Sequence, residues 1–446
     1  MLNIMIAAIQ FVTIDPGHFH AALVQNRTYD GVSPEVLVYA PEGADLKSHL
    51  ALIDQFNTRE SNPTAWKEIV YTGEDFLKKF IADAAKRSAA ENASKIVILA
   101  GRNNVKPDYY LAAAEAGLNV LSDKPMAITA TDYMKLCDAA AVAKAEGRLF
   151  GDIMTERNEI TTILQRELSR RGGVYGRQEV GTPDDPAVTK ISVHHFCKLV
   201  NGKPLRRPGW YYDTKQQGEA IVDVTTHLTD LVQWEVFPDV TLKRSDVNML
   251  AARTWTTPIT AADYEKSTGL KEWPPFLKTS VDKENVLQCK ANGEFTYTLR
   301  GVHAKVAVEW HFMPPAGGGD THYSLMRGSN AELIIKQGAE QGFKPVLYVK
   351  LRPGADEAKT AVALDQALTE IGATYPGVKA VSAEGVEGAT WKIDVPKKYD
   401  IGHEAHFSQV MQQFLSWMKA GQMPERERRN LLVKYYSLTE AWKMSR

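Results

Sequence analysis

The sequence predicts a doubly wound, parallel α/β sheet over residues 1–154, followed over 155–446 by an α+β domain with a large, mostly antiparallel, open-faced sheet. Three observations carry that expectation. Short apolar runs alternate with helical spacing as far as Met154. One of those runs, KIVILAG (95–101), has no polar residue after its first position. Beyond Thr155, β-rich segments follow one another without helices between them.

FVTID (11–15) reads as a buried strand, and HFHAALVQNRTY (18–29) as the helix after it. VLVYA (36–40) is the next strand, and KIVILAG has the composition of a strand covered on both faces. PDYYLAAAEAG (107–117) reads as a helix closed by Gly117. NVLSDKP (119–125) is a strand stopped by proline. Thr131 is the expected cap of a helix reaching Glu146 and ended by Gly147, before the strand LFGDIM (149–154). Ligands of such sheets bind beyond the carboxyl ends of the strands. Those ends carry Asp15, Ala40, Arg102 with Asn103, Lys124 and Met154.

In the second half a helix is expected over 159–171. The segments 190–198, 242–255, 284–301, 303–312, 331–338 and 344–352 have strand character. ANG (291–293) reads as a hairpin turn, and AGGGD (316–320) as a flexible loop. Helical spacing returns from His403 to Lys443.

Composition bounds the function classes. The chain has 446 residues, 44% hydrophobic and 24% charged, enough for two or three domains. A formal net charge of −1 offers no field to attract nucleic acid or an anionic membrane, so neither is an expected partner. Cys137, Cys197 and Cys289 lie far apart, which argues against a disulfide framework or a zinc cluster. The apolar start MLNIMIAAIQFVTI lacks the basic residues and cleavage site of an export signal. No stretch approaches the roughly 20 apolar residues of a membrane span. A soluble cytoplasmic protein is expected, with a periplasmic one as the alternative if an export leader precedes this sequence.

Three local features invite chemistry. The turn Asp15-Pro16-Gly17-His18-Phe19-His20 stands where a dinucleotide fold places G-x-G-x-x-G, yet keeps only the middle glycine. Lys124 ends a buried strand, and Pro125 holds it extended. Asp223 and His227 are four residues apart inside an apolar run, so on a helix they share a face. That pair suits proton transfer, the carboxylate orienting the ring, and equally suits a structural hydrogen bond.

Together these features resemble the Gfo/Idh/MocA oxidoreductases, the inositol dehydrogenase and glucose–fructose oxidoreductase type. Asp123-Lys124-Pro125 is similar to that family's Glu-Lys-Pro, and Asp223 with His227 to its Asp-x-x-x-His. The segment from Lys95 to Pro125, RGSNAELIIKQG (327–338) and the closing helices also resemble it, whereas 235–290 and 340–400 match poorly.

The resemblance implies a Rossmann-like first domain, a bound NAD (NADP being possible), and C-terminal helices that pack back towards that domain. It implies hydride transfer at a sugar, polyol or glycoside carbon. His227 would be the acid/base, Lys124 would hydrogen-bond the reacting oxygen, and Asp223 would bind a neighbouring hydroxyl or orient the pair. Asp15, Gly17, His18, Phe19, His20, Arg102, Asn103 and Lys124 would face the cofactor, with Glu42 on the adenosine ribose. His194, His195, Lys198, Arg207 and Trp210 would face substrate. A homodimer or homotetramer is implied too. Relatives that cleave glycosides with recycled NAD, and ligand sensors on the same fold, remain alternatives. No metal site is expected: His403-Glu404-Ala405-His406 is one residue short of HExxH.

Overall fold

The computed structural model describes residues 9–200, 203–386, 388 and 390–446. Residues 1–8, part of the apolar start weighed as an export signal, lie outside the described residues. No helix among the described residues is long and apolar enough to cross a membrane. The three cysteines form no disulfide. The chain divides into two compact units: 1–155 with 215–218 and 402–439, and 156–214 with 219–401 and 440–446.

The first unit is built on six parallel strands: β1 (Gln10–Ile14), β2 (Glu35–Ala40), β3 (Lys67–Thr72), β4 (Lys95–Leu99), β5 (Asn119–Ser122) and β6 (Phe150–Asp152), in the order β3-β2-β1-β4-β5-β6. Strand order reverses between β1 and β4, which pair from Gln10–Lys95 to Ile14–Leu99. Every residue of β4 is buried, as its unbroken apolar run requires. One sheet face is covered by the helix His403–Lys419, whose Phe407, Met411, Phe414 and Leu415 pack into a core with Phe11, Val36, Val38, Ile96, Ile98 and Leu121. Lys434 and Tyr435, on the helix Glu425–Met444, bind the Asp152 carboxylate at 2.8 and 2.9 Å.

In this unit two local expectations are corrected, and one strand is an addition to them. The first helix covers only His20–Leu23, because Trp66 Nε1 donates to the Gln25 carbonyl at 2.7 Å and Arg59 to that of Asn26, taking acceptors that a longer helix would use. The cap of the helix Ala130–Ala145 is Thr129, not Thr131: Thr129 Oγ1 accepts from Asp132 N while Asp132 accepts from Thr129 N. The strand β3 escapes a pattern search because its face is largely exposed.

The second unit carries a nine-stranded sheet. Its strands are β7 (Val188–His195), β10 (Val247–Thr260), β11 (Val286–Leu299), β12 (Val302–His311), β13 (Thr321–Arg327), β14 (Ala331–Gln337), β15 (Val346–Leu351), β16 (Lys379–Ser382) and β17 (Trp391–Asp394). The short strands β8 (Leu199–Val200) and β9 (Lys203–Pro204) pair apart from it. The sheet order is β10-β11-β12-β7-β13-β14-β15-β17-β16, antiparallel except where β12 meets β7. The helices Ile160–Ser169 and Glu357–Ile371 pack on β13, β14 and β15 through Leu164, Leu168, Leu364 and Leu368.

ANG is not a turn: β11 continues through it, with a one-residue register shift against β10 between Cys289 and Asn292. Asn292 Nδ2 bonds Thr257 Oγ1 at 2.8 Å and Asn292 Oδ1 accepts from Trp310 N at 2.8 Å, fastening β11 to both neighbours. Below the sheet, the fully buried Lys190 ammonium is paired with Glu235 and donates to Ser324 Oγ at 2.7 Å and Gln165 Oε1 at 3.1 Å. Burial pushes the Lys190 pKa down and the Glu235 pKa up, each opposed by the other's charge.

Candidate active site

The mouth of the parallel sheet, where strand order reverses, is drawn tight by backbone. A methyl group on Gly101 would lie 2.3 Å from the Asp15 carbonyl oxygen and 3.1 Å from Gly17 N, so only glycine fits there. Asp15 itself takes φ +46°, the region the missing first glycine of the fingerprint would favour. Its buried carboxylate accepts from Arg102 Nη2 at 3.2 Å and Tyr109 Oη at 3.1 Å. Burial opposes the Arg102 charge, but Asp15 outweighs it and raises the Arg102 pKa. Burial, then Asp15, holds Tyr109 protonated far above its ordinary range.

Next to this turn, His20 Nδ1 lies 2.9 Å from Asp123 Oδ2, and His18 Nδ1 lies 3.8 Å from the same oxygen. Phe19 packs against both rings, tilted to His18 and edge-on to His20. Lys124, half-buried, follows Asp123, and its bond to Pro125 is cis. The buried Lys106 ammonium donates to the carbonyls of Asp123 and Pro125 at 2.7 and 3.2 Å, fixing the turn that carries Lys124. Lys106 had no distinguishing signal in the sequence. Asn103 bonds the main chain at Gln216 and Gln217, residues of the same unit. Glu42 stands apart from this cluster, exposed at the end of β2, where it accepts from Thr72 Oγ1 at 3.2 Å.

These residues fit a dinucleotide, through side chains more than backbone. The Gly17 and His18 amides already bond Asp15 O and Ala100 O, at 2.8 and 3.0 Å. The partly exposed Arg102 guanidinium is a group that could hold a phosphate there, and the Glu42 carboxylate one that could hold a ribose.

In the second unit, Asp223 and His227 are both buried. The regular helix is Thr225–Val236, so Asp223 sits just before it rather than on it. Residues 219–224 form successive tight turns, with Asp223 N bonded to Glu219 O at 3.1 Å and His227 N to Val224 O at 3.0 Å. Gly293 admits that segment: a methyl group there would lie 2.8 Å from Ile221 Cβ. His194, His195 and Lys198 converge on Asp320, with Nδ1, Nδ1 and Nζ at 3.2, 3.0 and 2.8 Å. Burial works against ionisation of Asp320, yet the hydrogen bond and charge of His194, with Lys198, hold its carboxyl well below the usual range. Arg207 donates to the carbonyls of Phe196 and His195 and stacks on Tyr211 at 4.4 Å. Trp210 is buried in the adjoining turn Gly209–Tyr212.

Comparison with known proteins agrees with this architecture. Residues 164–446 match a family model described as "Putative oxidoreductase C terminal domain", and residues 61–148 one described as "Oxidoreductase family, NAD-binding Rossmann fold". No curated protein matches the sequence. A crystal structure of a "putative oxidoreductase" from Parabacteroides merdae ATCC 43184 is 48% identical, covers 98% of each chain and superposes with a TM-score of 0.93. Two more distant structures share the fold. A 3-ketoreductase from Actinomadura kijaniata, in complex with NADP, has a TM-score of 0.54 at 13% identity, over 97% of this chain and 96% of that one. A levoglucosan dehydrogenase in complex with NADH has a TM-score of 0.56 at 11% identity, over 98% and 97%. The sheet order, the lysine turn after β5 and these matches lead to one conclusion: the chain belongs to the NAD-binding Gfo/Idh/MocA oxidoreductase family, with that family's oxidoreductase C-terminal domain.

Proposed function

We propose that the protein is an NAD-dependent dehydrogenase or reductase acting on a hydroxyl or ketone carbon of a sugar, polyol or glycoside. The observation that carries this reading is the buried Asp223–His227 segment of the second unit, and the lysine turn at the carboxyl end of β5 in the first unit supports it. When bound, NAD supplies the acceptor or donor of hydride. His227 takes the hydroxyl proton in oxidation and returns it in reduction. Lys124 hydrogen-bonds the same oxygen and offsets the negative charge that develops there. Asp223 orients the imidazole or holds a neighbouring hydroxyl. Arg102 and the His18–His20 turn face the cofactor phosphates, and Glu42 faces the ribose, which favours NAD over NADP. His194, His195 and Lys198, gathered on Asp320, together with Arg207 and Trp210, face substrate hydroxyls. A levoglucosan dehydrogenase and a 3-ketoreductase among the structures that share the fold are consistent with a sugar-class substrate. We further propose a homodimer or homotetramer, to be checked by light scattering.

The deciding experiment incubates the protein with NAD and a sugar panel while following reduced nicotinamide. Net reduction by a sugar is expected, and His227→Ala removes it while leaving NAD binding nearly unchanged. Turnover without added cofactor or net absorbance change would replace this reading with glycoside cleavage by recycled NAD. NAD binding that stabilises the protein without any turnover would leave a sensor.

A further inference from the structure

We propose that His18, His20 and Asp123 form a site for one divalent transition-metal ion of the zinc class. The three groups come from two separate strand ends, the turn after β1 and the residue after β5, yet their ligating atoms all lie within 4.8 Å of one another. Their side chains are 13%, 10% and 6% exposed, so the cluster is not an accident of a crowded surface. An ion bound at about 2.0–2.1 Å to two imidazole nitrogens and a carboxylate oxygen holds those atoms about 3.3 Å apart in tetrahedral geometry. The observed separations from Asp123 Oδ2, 2.9 Å to His20 Nδ1 and 3.8 Å to His18 Nδ1, bracket that value. Small side-chain rotations would equalise them.

A plain Asp–His hydrogen bond needs only one of the two rings. The second ring is edge-on to the first, with centroids 4.0 Å apart, and is turned onto the same oxygen. The His20 main-chain N–H donates to His18 Nδ1 at 3.4 Å, so that nitrogen is the unprotonated one of its ring, and an ion would take the place of this long hydrogen bond. His20 Nδ1 donates to Asp123 in the present arrangement; on binding, its ring would carry the proton on Nε2 instead. The surroundings are rigid. Phe19 and Phe407 sit 4.5 and 4.6 Å from the His20 ring, and Lys106 fixes the main chain of Asp123. His403, 6.0 Å from His20 between ring centroids and 3.3 Å from Thr155 Oγ1, stands outside the ligand set. Three protein ligands leave a fourth position for water or an oxygen of a bound molecule, as in catalytic rather than structural zinc sites. This departs from the expectation of no metal, and it does not depend on the hydride-transfer reading.

The test strips the full-length protein with a chelator and titrates it with Zn(II) by calorimetry, then with Co(II) by visible absorption. One zinc per chain, a rise in melting temperature and Co(II) d–d bands are expected. His18→Ala and His20→Ala should lose stoichiometric uptake, Asp123→Asn should weaken it, and His403→Ala should keep it. Circular dichroism of each variant separates loss of a ligand from loss of the fold, and His18→Gln, at the most exposed of the three positions, provides the milder substitution. No stoichiometric zinc on the wild-type protein, or equal uptake by folded His18 and His20 variants, would overturn the site.

Discussion

Gly101 and Asp15 meet backbone to backbone: a Cβ on the former would sit 2.3 Å from the carbonyl oxygen of the latter, nearer than any real carbon comes. Neither partner can move aside as a side-chain tip would, since Asp15 N is bonded to Tyr39 O at 2.9 Å and its carboxylate to Arg102 and Tyr109. Gly101→Ala should therefore cost about 1–3 kcal/mol of stability, by the usual penalty for overpacking. It should also weaken NAD binding, because the turn after β1 is what shifts. Denaturant unfolding and NAD titration of the same variant check both effects.

Lys190→Met should destabilise the protein by about 3–5 kcal/mol, because it leaves the Glu235 carboxylate buried without its cation. The double variant Lys190→Met with Glu235→Leu should recover most of that loss. Chemical denaturation of the two single variants and the double closes the cycle; equal stability of Lys190→Met and wild type would contradict the pairing.

Asp320 gives an acid-side signature. A carboxyl whose folded pKa lies below its unfolded value of about 3.9 stabilises the fold above that value and loses the contribution as pH falls through the folded one. Asp320→Asn should cost about 1.5–3 kcal/mol at neutral pH, the range for hydrogen bonds to charged groups. The gap to wild type should then shrink as pH drops below about 4. Melting curves across that interval measure it.

Glu42 is exposed, and its hydrogen bond from Thr72 Oγ1 lies at the surface, so replacing it costs little stability. On the proposed assignment its charge repels a 2′-phosphate. Glu42→Gln should narrow the preference for NAD over NADP by about tenfold, or roughly 1.4 kcal/mol, read from the two dissociation constants.

What the sequence reveals follows from which interactions are local. The strands β1, β2, β4, β5 and β6 are legible because their short apolar runs are buried and set between helical segments, the run of β4 being the least interrupted. The strand β3 is lost among charged neighbours at an exposed edge. ANG misleads because Asn292 spends its amide on Thr257 and Trp310, contacts that a local pattern does not encode. Of the proposed site residues, Lys124, Asp223 and His227 stand out by motif. Asp320 does not: it follows a glycine run, and the histidines and lysine it gathers lie 122 to 126 residues earlier. The His18, His20 and Asp123 cluster is hidden for the same reason, with 103 residues separating His20 from its carboxylate.

The covering of the first sheet by Phe407, Met411, Phe414 and Leu415 sets the timing of birth for this enzyme. A ribosome releases all six parallel strands early, then spends most of its remaining work on the other unit before those four side chains emerge. Through that interval Val36, Val38, Ile96, Ile98 and Leu121 lack their cover, an invitation to chaperones and to aggregation. Expression of residues 1–155 alone should accordingly give inclusion bodies, while supplying the 402–446 segment in trans should rescue part of it into the supernatant.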